Sequence, residues 1–182
     1  MHQDIESVLV SEEQINDITS RLASKIQQDY ENSDKKLVLI CILKGSLMFA
    51  AELMKKIDLP LEIEFMKVSS YGSQTMSSGV INIHLDIKRE DMGDVNFLII
   101  EDIVDSGKTL SHLVRYLAER GAASVKTCTL LDKPERRTVA FTPDYCGQVI
   151  PDRFVVGFGL DYNELYRNLP YVGVLKPCVY GG

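Results

Sequence analysis

The feature that most constrains the fold is an uninterrupted apolar run at residues 37–43, LVLICIL. A run of this length without a polar position is typical of a β-strand that is covered on both faces, as in a parallel sheet. Shorter apolar runs predict further strands at residues 97–100, at residues 125–131 and from residue 154 onward. We therefore expect a central sheet that is buried on both sides.

Stretches with helical periodicity lie between these runs. Residues 11–29 carry one apolar stripe and begin with the spacing of a capping box. A second helix is predicted at residues 47–57, and a third carries its stripe at residues 110–118 and ends near Gly121. Strands that alternate with helices predict an α/β fold: a twisted, mostly parallel sheet with right-handed crossovers, flanked by helices.

The region between residues 61 and 87 has a different pattern. Apolar and polar residues alternate in residues 61–68 and again in residues 80–87, which predicts two strands with one wetter face each. The segment between them, SSYGSQTMSSG at residues 69–79, is long, polar and rich in serine. A loop of this length is either a plain hairpin connection or a functional lid, and the residues alone leave both open.

The overall charge and the cysteines restrict the class of protein. The 182 residues suggest one domain, and 20 Lys and Arg against 26 Asp and Glu give a formal net charge of −6. This balance argues against broad binding to nucleic acid or to an anionic membrane. No apolar run reaches the ~20 residues of a membrane span, and the N-terminus lacks the features of a signal peptide. The four cysteines show no C-x-x-C spacing, so we expect reduced thiols in a cytoplasmic protein.

Polar loops follow four of the predicted strands. They are residues 44–46, 101–109, 132–134 and 157–161, and three of them carry a lysine. In an open parallel sheet, ligands bind beyond the carboxyl ends of the strands, so these loops are expected to converge at the ligand-binding edge.

Two adjacent acids, Glu101 and Asp102, end a predicted buried strand. Like charges this close repel each other unless a cation or hydroxyl groups lie near them. The pair therefore indicates a binding site for Mg²⁺ or for a vicinal diol. The structural alternatives are a solvated turn, or a helix cap formed by one of the two acids.

The segment DSGKT, residues 105–109, leads directly into a predicted helix. Backbone N–H groups at a glycine-bearing helix start form an anion site, to which Ser106 and Thr109 add hydroxyl donors. Gly107 lets a phosphate approach the backbone closely. Gly-Lys-Thr also matches the end of a P-loop, but that motif needs a glycine five residues before Gly107, where this chain has Asp102.

The stretch FLIIEDIVDSGKTL resembles the ribose-phosphate-binding signature of the phosphoribosyltransferases. LKGS after the first apolar run, SSYG, the lysine at 133 and VVGFGLDYNELYRNLPYVGVL are similar to the hypoxanthine-guanine branch of that family. The resemblance extends from about residue 8 to residue 176. It implies the type I phosphoribosyltransferase fold in a single domain over residues 1–182. It also implies a flexible hairpin loop at about residues 69–79 and a small hood, to which the C-terminal part contributes.

The activity implied by the resemblance is purine salvage. Hypoxanthine or guanine would react with 5-phosphoribosyl 1-pyrophosphate to give IMP or GMP and pyrophosphate, with Mg²⁺ as cofactor. Asp105 would be the general base for the attacking imidazole nitrogen, or alternatively only a hydrogen-bond acceptor that selects a protonated purine. Lys133 would donate to the 6-oxo group. Phe154 would stack on the purine, and Val155 would contribute backbone groups to its edge.

The remaining contacts implied by the resemblance are to the sugar, the phosphates and the metal. Glu101 and Asp102 would hold the ribose hydroxyls, directly or through Mg²⁺, and Asp161 would help to hold a second Mg²⁺. The 5-phosphate would lie in the loop formed by Ser106, Gly107, Lys108 and Thr109. Pyrophosphate would contact Arg167 and backbone donors of Lys44 and Gly45, where the family often has a non-proline cis peptide. Ser70 and Tyr71 would close over the reacting groups.

Three of these residues have simpler interpretations when they are taken alone. Lys133 fits a surface lysine that caps a turn, Phe154 fits a core residue that opens a strand, and Arg167 fits a salt-bridge partner in a helical segment, DYNELYRN. Their assigned roles rest on the resemblance.

Three other functions remain as alternatives. The first is a phosphoribosyltransferase for another base: xanthine, adenine, uracil or orotate. The second is a non-enzymatic, nucleotide-sensing RNA-binding regulator with the same fold, for which the chain has no arginine-rich stripe. The third is a generic helix–sheet nucleotide-binding domain, which would explain the phosphate loop but not the acid pair. The resemblance implies small-molecule substrates and a homodimer or homotetramer, with no nucleic-acid or membrane partner.

Overall fold

The structure of the protein, a computed structural model, describes residues 2–70 and 81–181, without the side chain of Ser70. Tyr71 and nearly all of the predicted loop at residues 69–79 lie outside the described residues.

The described residues form nine strands and four α-helices. The strands are β1 (Ile5–Val10), β2 (Lys36–Leu43), β3 (Leu61–Ser70), β4 (Ile81–Leu85), β5 (Val95–Val104), β6 (Ser124–Asp132), β7 (Tyr145–Val149), β8 (Val155–Val156) and β9 (Val172–Leu175). The helices are α1 (Glu12–Tyr30), α2 (Leu47–Met54), α3 (Lys108–Glu119) and α4 (Pro177–Tyr180). Short 3₁₀ turns lie at Met92–Asp94 and Pro134–Arg136.

A six-stranded sheet with the order β4-β3-β2-β5-β6-β7 forms the centre of the molecule. All neighbouring pairs are parallel except β3–β4, which is antiparallel. Alternate residues of β2 and β5 enter two apolar cores: Leu39 and Ile100 pack on the side of α1 and α2, and Ile40 and Ile99 on the side of α3. Burial on both faces explains the unbroken apolar runs and confirms the predicted α/β fold.

The first helix begins with the predicted capping box. The Ser11 hydroxyl accepts a hydrogen bond from Gln14 N at 3.2 Å, and Ser11 N donates to Gln14 Oε1 at 2.8 Å. Two of the four orphan N–H groups at the helix start are thereby satisfied. α1 buries Ile15, Leu22 and Ile26, as the apolar stripe predicts.

A second, three-stranded antiparallel sheet has the order β1-β9-β8. The prediction of a strand from residue 154 was correct in kind, but this strand begins at Val155 and belongs to the second sheet rather than to the parallel one. β9 joins both neighbours, so the sheet brings the N-terminal strand and the C-terminal part of the chain together. β1, β7 and β9 were not predicted from the sequence.

Three other local predictions need correction. The helix predicted at residues 47–57 ends at Met54, and the strand predicted at 97–100 runs through Val104, so that the acid pair lies within β5. The segment DYNELYRN is not helical: Tyr162 and Leu165 form an isolated antiparallel bridge, and Asn163 and Glu164 have positive φ.

No helix in the described part of the chain combines the length and the apolar character that a membrane crossing requires.

Candidate active site

A cleft of about 650 Å³ opens at the carboxyl ends of the central strands. β2, β3, β5 and the start of α3 all contribute to its walls. Its lining includes Leu43, Ser69, Glu101, Asp105, Thr109 and Thr138. The cleft therefore lies where the loops of an open α/β sheet place a ligand.

The loop between β5 and α3 forms one end of the cleft. Gly107 precedes α3 with φ +79°, a left-handed conformation that favours glycine. A Cβ at this position would lie 2.9 Å from Arg137 Cδ and 3.1 Å from Phe141 Cβ. The loop is held from outside by Thr138 N, which donates to the Ser106 carbonyl at 3.1 Å. The start of α3 lines the cleft, where a helix start can bind an anion, and Lys108 N makes a long hydrogen bond of 3.4 Å to the Ser106 hydroxyl.

The two acids of β5 have different surroundings. Glu101 lines the cleft, and its buried Oε2 has no hydrogen-bond partner among the described residues. Asp102 is buried, accepts a hydrogen bond from Ile103 N at 2.7 Å, and contacts Gly45 so closely that a Cβ there would overlap Asp102 Oδ2. Of the pair, only Glu101 lines the cleft in the part of the chain that the structure describes.

Burial acts on both carboxyl groups. Loss of solvation, followed by the charge of Asp102, raises the pKa of Glu101 well above its ordinary value. Loss of solvation also raises the pKa of Asp102, although hydrogen bonding with Glu101 and with Ile103 N, and then the charge of Arg167, oppose that shift. A cation or hydroxyl donors beside Glu101 would stabilise its charged form.

Glu101→Gln is expected to raise the Tm of the metal-chelated protein at pH 7 by about 3 °C, or roughly 1 kcal/mol. A raised folded-state pKa means that the charged carboxyl disfavours folding at neutral pH, and the amide removes that charge. The advantage should shrink as the pH falls and vanish below about 4.3, where the glutamate is protonated in both states. Thermal unfolding in EDTA between pH 4 and pH 8 measures this, and an equal or lower Tm for the variant at pH 7 contradicts it.

Asp105 and Lys133 face each other beside the same cleft. The Lys133 side chain is only 8% exposed, and its Nζ lies 3.9 Å from Asp105 Oδ1. Asp105 is more exposed, and its backbone carbonyl accepts a hydrogen bond from Arg137 Nη1 at 2.5 Å. Lys133 is therefore not a surface residue, and its buried stem brings a cation next to a carboxylate at the cleft.

The loop after β2 contacts Asp102 through Gly45, and the loop after β8 contacts the same glycine through Gly159. A cis peptide bond joins Leu43 to Lys44, one bond earlier than the resemblance implied. A Cβ at Gly159, which has φ +99°, would overlap the carbonyl oxygen of Gly45. The two loops are thus in backbone contact.

Arg167 and Asp161 lie in the same group of residues. Arg167 donates to the Gly159 carbonyl at 2.7 Å and forms an ion pair with Asp161 at 2.8 Å. Lys44 Nζ lies 2.9 Å from Glu164 Oε2, which is also 3.4 Å from Arg167. Two cations and two acids thus form a compact group next to the Lys44–Gly45 loop.

Phe154 lies at the surface in front of β8 and is 38% exposed, so it is not a core residue. Its ring stacks on Tyr180 with a centroid distance of 4.7 Å and meets Tyr162 edge-on at 5.6 Å. Val155 is buried in β8. Phe154, just before β8, is thus part of a small aromatic cluster beside the second sheet.

Several residues around the cleft were missed by the sequence analysis. They are Arg136 and Thr138 in the cleft wall, Arg137 behind the phosphate loop, and Asp152 and Tyr180 beside Lys133 and Phe154. The two adjacent arginines at 136 and 137, which begin three residues after Lys133, were a sequence signal that could have identified Arg136 and Arg137. Asp152 and Tyr180 carry no motif, and only the tertiary contacts reveal them.

A strand, an acid pair and a glycine-bearing anion loop at the edge of a parallel sheet are the arrangement of a protein that binds a sugar phosphate. The family described as "Phosphoribosyl transferase domain" matches residues 9–163. The hypoxanthine-guanine phosphoribosyltransferase of Streptococcus pneumoniae is 51% identical over 180 residues, which cover 99% of this chain and 98% of that protein. The bifunctional protein TilS/HprT of Listeria innocua is 49% identical, but this chain spans only 27% of its length.

A crystal structure of a hypoxanthine phosphoribosyltransferase from Staphylococcus aureus superimposes with a TM-score of 0.93 and 47% identity, covering 100% of this chain and 97% of that one. The chain therefore belongs to the phosphoribosyltransferase family, and within it to the hypoxanthine-guanine branch. This confirms the family and the type I fold that the sequence resembled.

Proposed function

We propose that the protein joins hypoxanthine or guanine to the ribose phosphate of 5-phosphoribosyl 1-pyrophosphate, forming IMP or GMP and releasing pyrophosphate. The observation that carries the proposal is the juxtaposition at one cleft of the anion loop at 106–109, the unpaired carboxylate of Glu101, and the Asp105–Lys133 pair. Relatives that are named hypoxanthine-guanine phosphoribosyltransferase match 99% of this chain.

In this proposal, Asp105 and Lys133 act on the base. The ammonium of Lys133 donates to the 6-oxo oxygen, and the Asp105 carboxylate takes the proton from the imidazole nitrogen that attacks the anomeric carbon. A positioned base of this kind contributes typically about 100- to 10,000-fold to the rate. Phe154 provides a face on which the purine stacks, and the backbone of Val155 faces its edge. The sheet β1-β9-β8 is then the base-binding hood.

The sugar phosphate occupies the rest of the cleft. The backbone amides of Ser106 to Thr109 and the hydroxyls of Ser106 and Thr109 bind the 5-phosphate, because a helix start supplies donors aimed at an anion. Glu101, which lines the cleft, holds the ribose hydroxyls, and Asp102, buried next to Gly45, would reach them through magnesium-bound water.

Mg²⁺ fits this set of residues. No group of three or more His, Cys, Asp or Glu that could hold a metal occurs among the described residues, so the chain offers single carboxylates rather than a closed cage. Mg²⁺ usually keeps several waters and binds through one or two carboxylates plus substrate phosphates. The orphan oxygen of Glu101 is such a donor, with Asp102 next to it and Asp161 on the pyrophosphate side. When bound, the ion neutralises charge on the pyrophosphate.

The leaving pyrophosphate is assigned to the loop after β2. The backbone N–H groups of Lys44 and Gly45 donate to it, and Arg167 binds it through its planar guanidinium. The Nε of Arg167 is buried and has no partner among the described residues, so the guanidinium is not fully satisfied in the absence of a ligand.

Two further features belong to the proposal. The four free cysteines, two of them buried, support a reducing compartment such as the cytoplasm. The assembly is proposed to be a homodimer or a homotetramer, which analytical ultracentrifugation would distinguish.

Pyrophosphate release with each free base in turn, with and without Mg²⁺, tests the function. We expect release with hypoxanthine and guanine that depends on Mg²⁺, and little with adenine, uracil or orotate. Release only with xanthine or another base would assign a different substrate, and release with none would remove the enzyme function.

Lys133→Ala is expected to raise the KM for hypoxanthine about 10- to 100-fold, the usual loss for one hydrogen bond to a charged group. The KM for 5-phosphoribosyl 1-pyrophosphate should stay near its wild-type value, because Lys133 faces the base. Steady-state kinetics with each substrate varied separately measure both. Lys35→Ala, which removes an exposed ion pair with Asp94, is the matched control. An unchanged KM for hypoxanthine would remove the contact.

A further inference from the structure

Lys133 lies between two carboxylates rather than one. Its Nζ is 3.9 Å from Asp105 Oδ1 and 3.8 Å from Asp152 Oδ1. Both distances exceed that of a hydrogen bond. The Lys133 ammonium is thus shared between two acids, and among the described residues its protons are committed to neither.

Asp152 is held in this position from two sides. Its carboxylate forms an ion pair with Arg136 Nη1, with distances of 3.3 Å and 3.4 Å to its two oxygens. Its backbone follows the turn after β7, where Ile150 N donates to the Asp132 carbonyl at 2.9 Å and Arg153 N donates to the Pro151 carbonyl at 2.8 Å. Charges therefore alternate from Arg136 through Asp152 and Lys133 to Asp105.

We propose that Asp152 is a positioning residue for the base site: it shares the Lys133 ammonium with Asp105 and thereby keeps the lysine from closing onto Asp105. The inference rests on the proposed function and adds to it a residue that does not itself contact the purine or the sugar. It assigns a role to an acid that the sequence analysis did not identify.

The physical reason is the balance of attraction on a buried cation. The Lys133 side chain is 8% exposed, whereas Asp105 and Asp152 are 49% and 43% exposed. An ammonium that faces only one carboxylate forms a close, charge-assisted hydrogen bond with it. Two carboxylates at nearly equal distance pull the ammonium in different directions, so its N–H groups stay available to the 6-oxo oxygen. Asp105 then keeps its own oxygens free to accept the imidazole proton.

Without the charge of Asp152, Lys133 is left with Asp105 alone. We expect the 3.9 Å gap to close to hydrogen-bond distance, which occupies the lysine donor and the aspartate acceptor together. Recognition of the base and proton removal should both suffer. Among the described residues, the phosphate loop and the acid pair of β5 make no contact with Asp152, and Arg136 is its one connection to the cleft wall. Because the Arg136 charge itself is retained, we expect sugar-phosphate binding to be unaffected.

The test is Asp152→Asn, which keeps the shape of the side chain and removes its charge. The KM for hypoxanthine is expected to rise about 10-fold, roughly the loss of one charge-assisted hydrogen bond, and kcat is expected to fall. The KM for 5-phosphoribosyl 1-pyrophosphate and the Tm should not change. Asp152→Glu should restore most of the loss. Glu135→Gln is the matched control, since Glu135 lies in the 3₁₀ turn that follows Lys133, is exposed and forms no ion pair among the described residues.

A double-mutant cycle separates positioning from a general structural effect. If Asp152 acts through Lys133, Asp152→Asn should change the KM for hypoxanthine less than 2-fold in a Lys133→Ala background, because the residue on which it acts is gone. An unchanged KM for hypoxanthine in the single variant, an equal rise in both KM values, or the full 10-fold effect in the Lys133→Ala background would each overturn the role of Asp152. An active wild type with such a result leaves the proposed function standing, whereas a wild type that binds no 6-oxopurine overturns both.

Discussion

Asp105→Asn is expected to lower kcat with hypoxanthine about 100- to 10,000-fold, which is the usual contribution of a positioned general base. An amide has nearly the same shape as the carboxylate but cannot take up the imidazole proton. The Arg137 hydrogen bond goes to the backbone carbonyl of residue 105, so the substitution leaves the loop anchored. Binding of 5-phosphoribosyl 1-pyrophosphate should therefore be retained, and calorimetric titration with this ligand together with single-turnover kinetics measures both quantities.

The two roles considered for Asp105 predict different kinetics. A general base affects kcat, whereas a residue that only accepts a hydrogen bond from the purine affects the KM for the base and leaves kcat nearly unchanged. Asp94→Asn serves as the control, because Asp94 is an exposed acid before the first residue of β5, at the opposite end of the sheet from the cleft. A kcat within about 3-fold of wild type would exclude the general-base role, given the range expected for such a group.

Gly159→Ala is expected to lower kcat/KM about 100-fold, the usual effect of a misplacement of about 1 Å in a catalytic site. The added Cβ would overlap the Gly45 carbonyl oxygen, and backbone cannot move aside as a flexible side chain can. The loop after β2 would have to shift, and its contact between Gly45 and Asp102 would be disturbed. The free energy of unfolding should also fall by about 3 kcal/mol, within the range for strain and overpacking at a special φ.

Gly121→Ala provides a matched control for this prediction. Gly121 also has a positive φ, +90°, but a Cβ there would meet nothing within 4 Å. The free energy of unfolding of Gly121→Ala should fall by only about 1–2 kcal/mol, the cost of a left-handed conformation for alanine, and its activity should be unchanged. Chemical denaturation and steady-state kinetics of both variants give the comparison. Equal effects of the two alanines on kcat/KM would show that the contact between Gly159 and Gly45 does not matter for the site.

The central sheet was predictable because its constraints are local. Residues 37–43 of β2 and 97–100 of β5 are apolar at every position, since helices cover both faces there, and this leaves a pattern that a single sequence displays. The phosphate loop was predictable for a similar reason: the residues from Glu101 to Thr109 are contiguous, so strand end, acid pair and helix start appear in one stretch.

The second sheet was not predictable from local patterns. β8 has two residues and β9 has four, which is too short for a periodicity to stand out. β1 pairs with β9 from the other end of the sequence, a contact that leaves no local trace. The segment DYNELYRN was predicted to be helical. Tertiary contacts override its helical composition: Gly159, just before the segment, lies against the backbone of Gly45, and Arg167 of the segment donates to the Gly159 carbonyl.

The individual roles at the site could be assigned only by resemblance, because composition does not distinguish Lys133 from a surface lysine. Its low exposure follows from its place directly after β6 and from its contacts with Asp105 and Asp152. Asp105 is distant in sequence, and Asp152 belongs to no recognisable motif. Charge networks of this kind depend on side chains from separate loops. They become visible only when the loops are brought together.

Because β1 pairs with β9, the two parts of the binding site are expected to form at different times during synthesis of the chain. The residues that cradle the phosphate lie between two strands of the central sheet, and these strands leave the ribosome well before residue 172. The sheet next to Phe154 must wait for β9, because β9 is the only link that the structure shows between β1 and β8 among the described residues. A ribosome-bound intermediate is therefore expected to acquire the sugar-phosphate half of its pocket first and the aromatic half last.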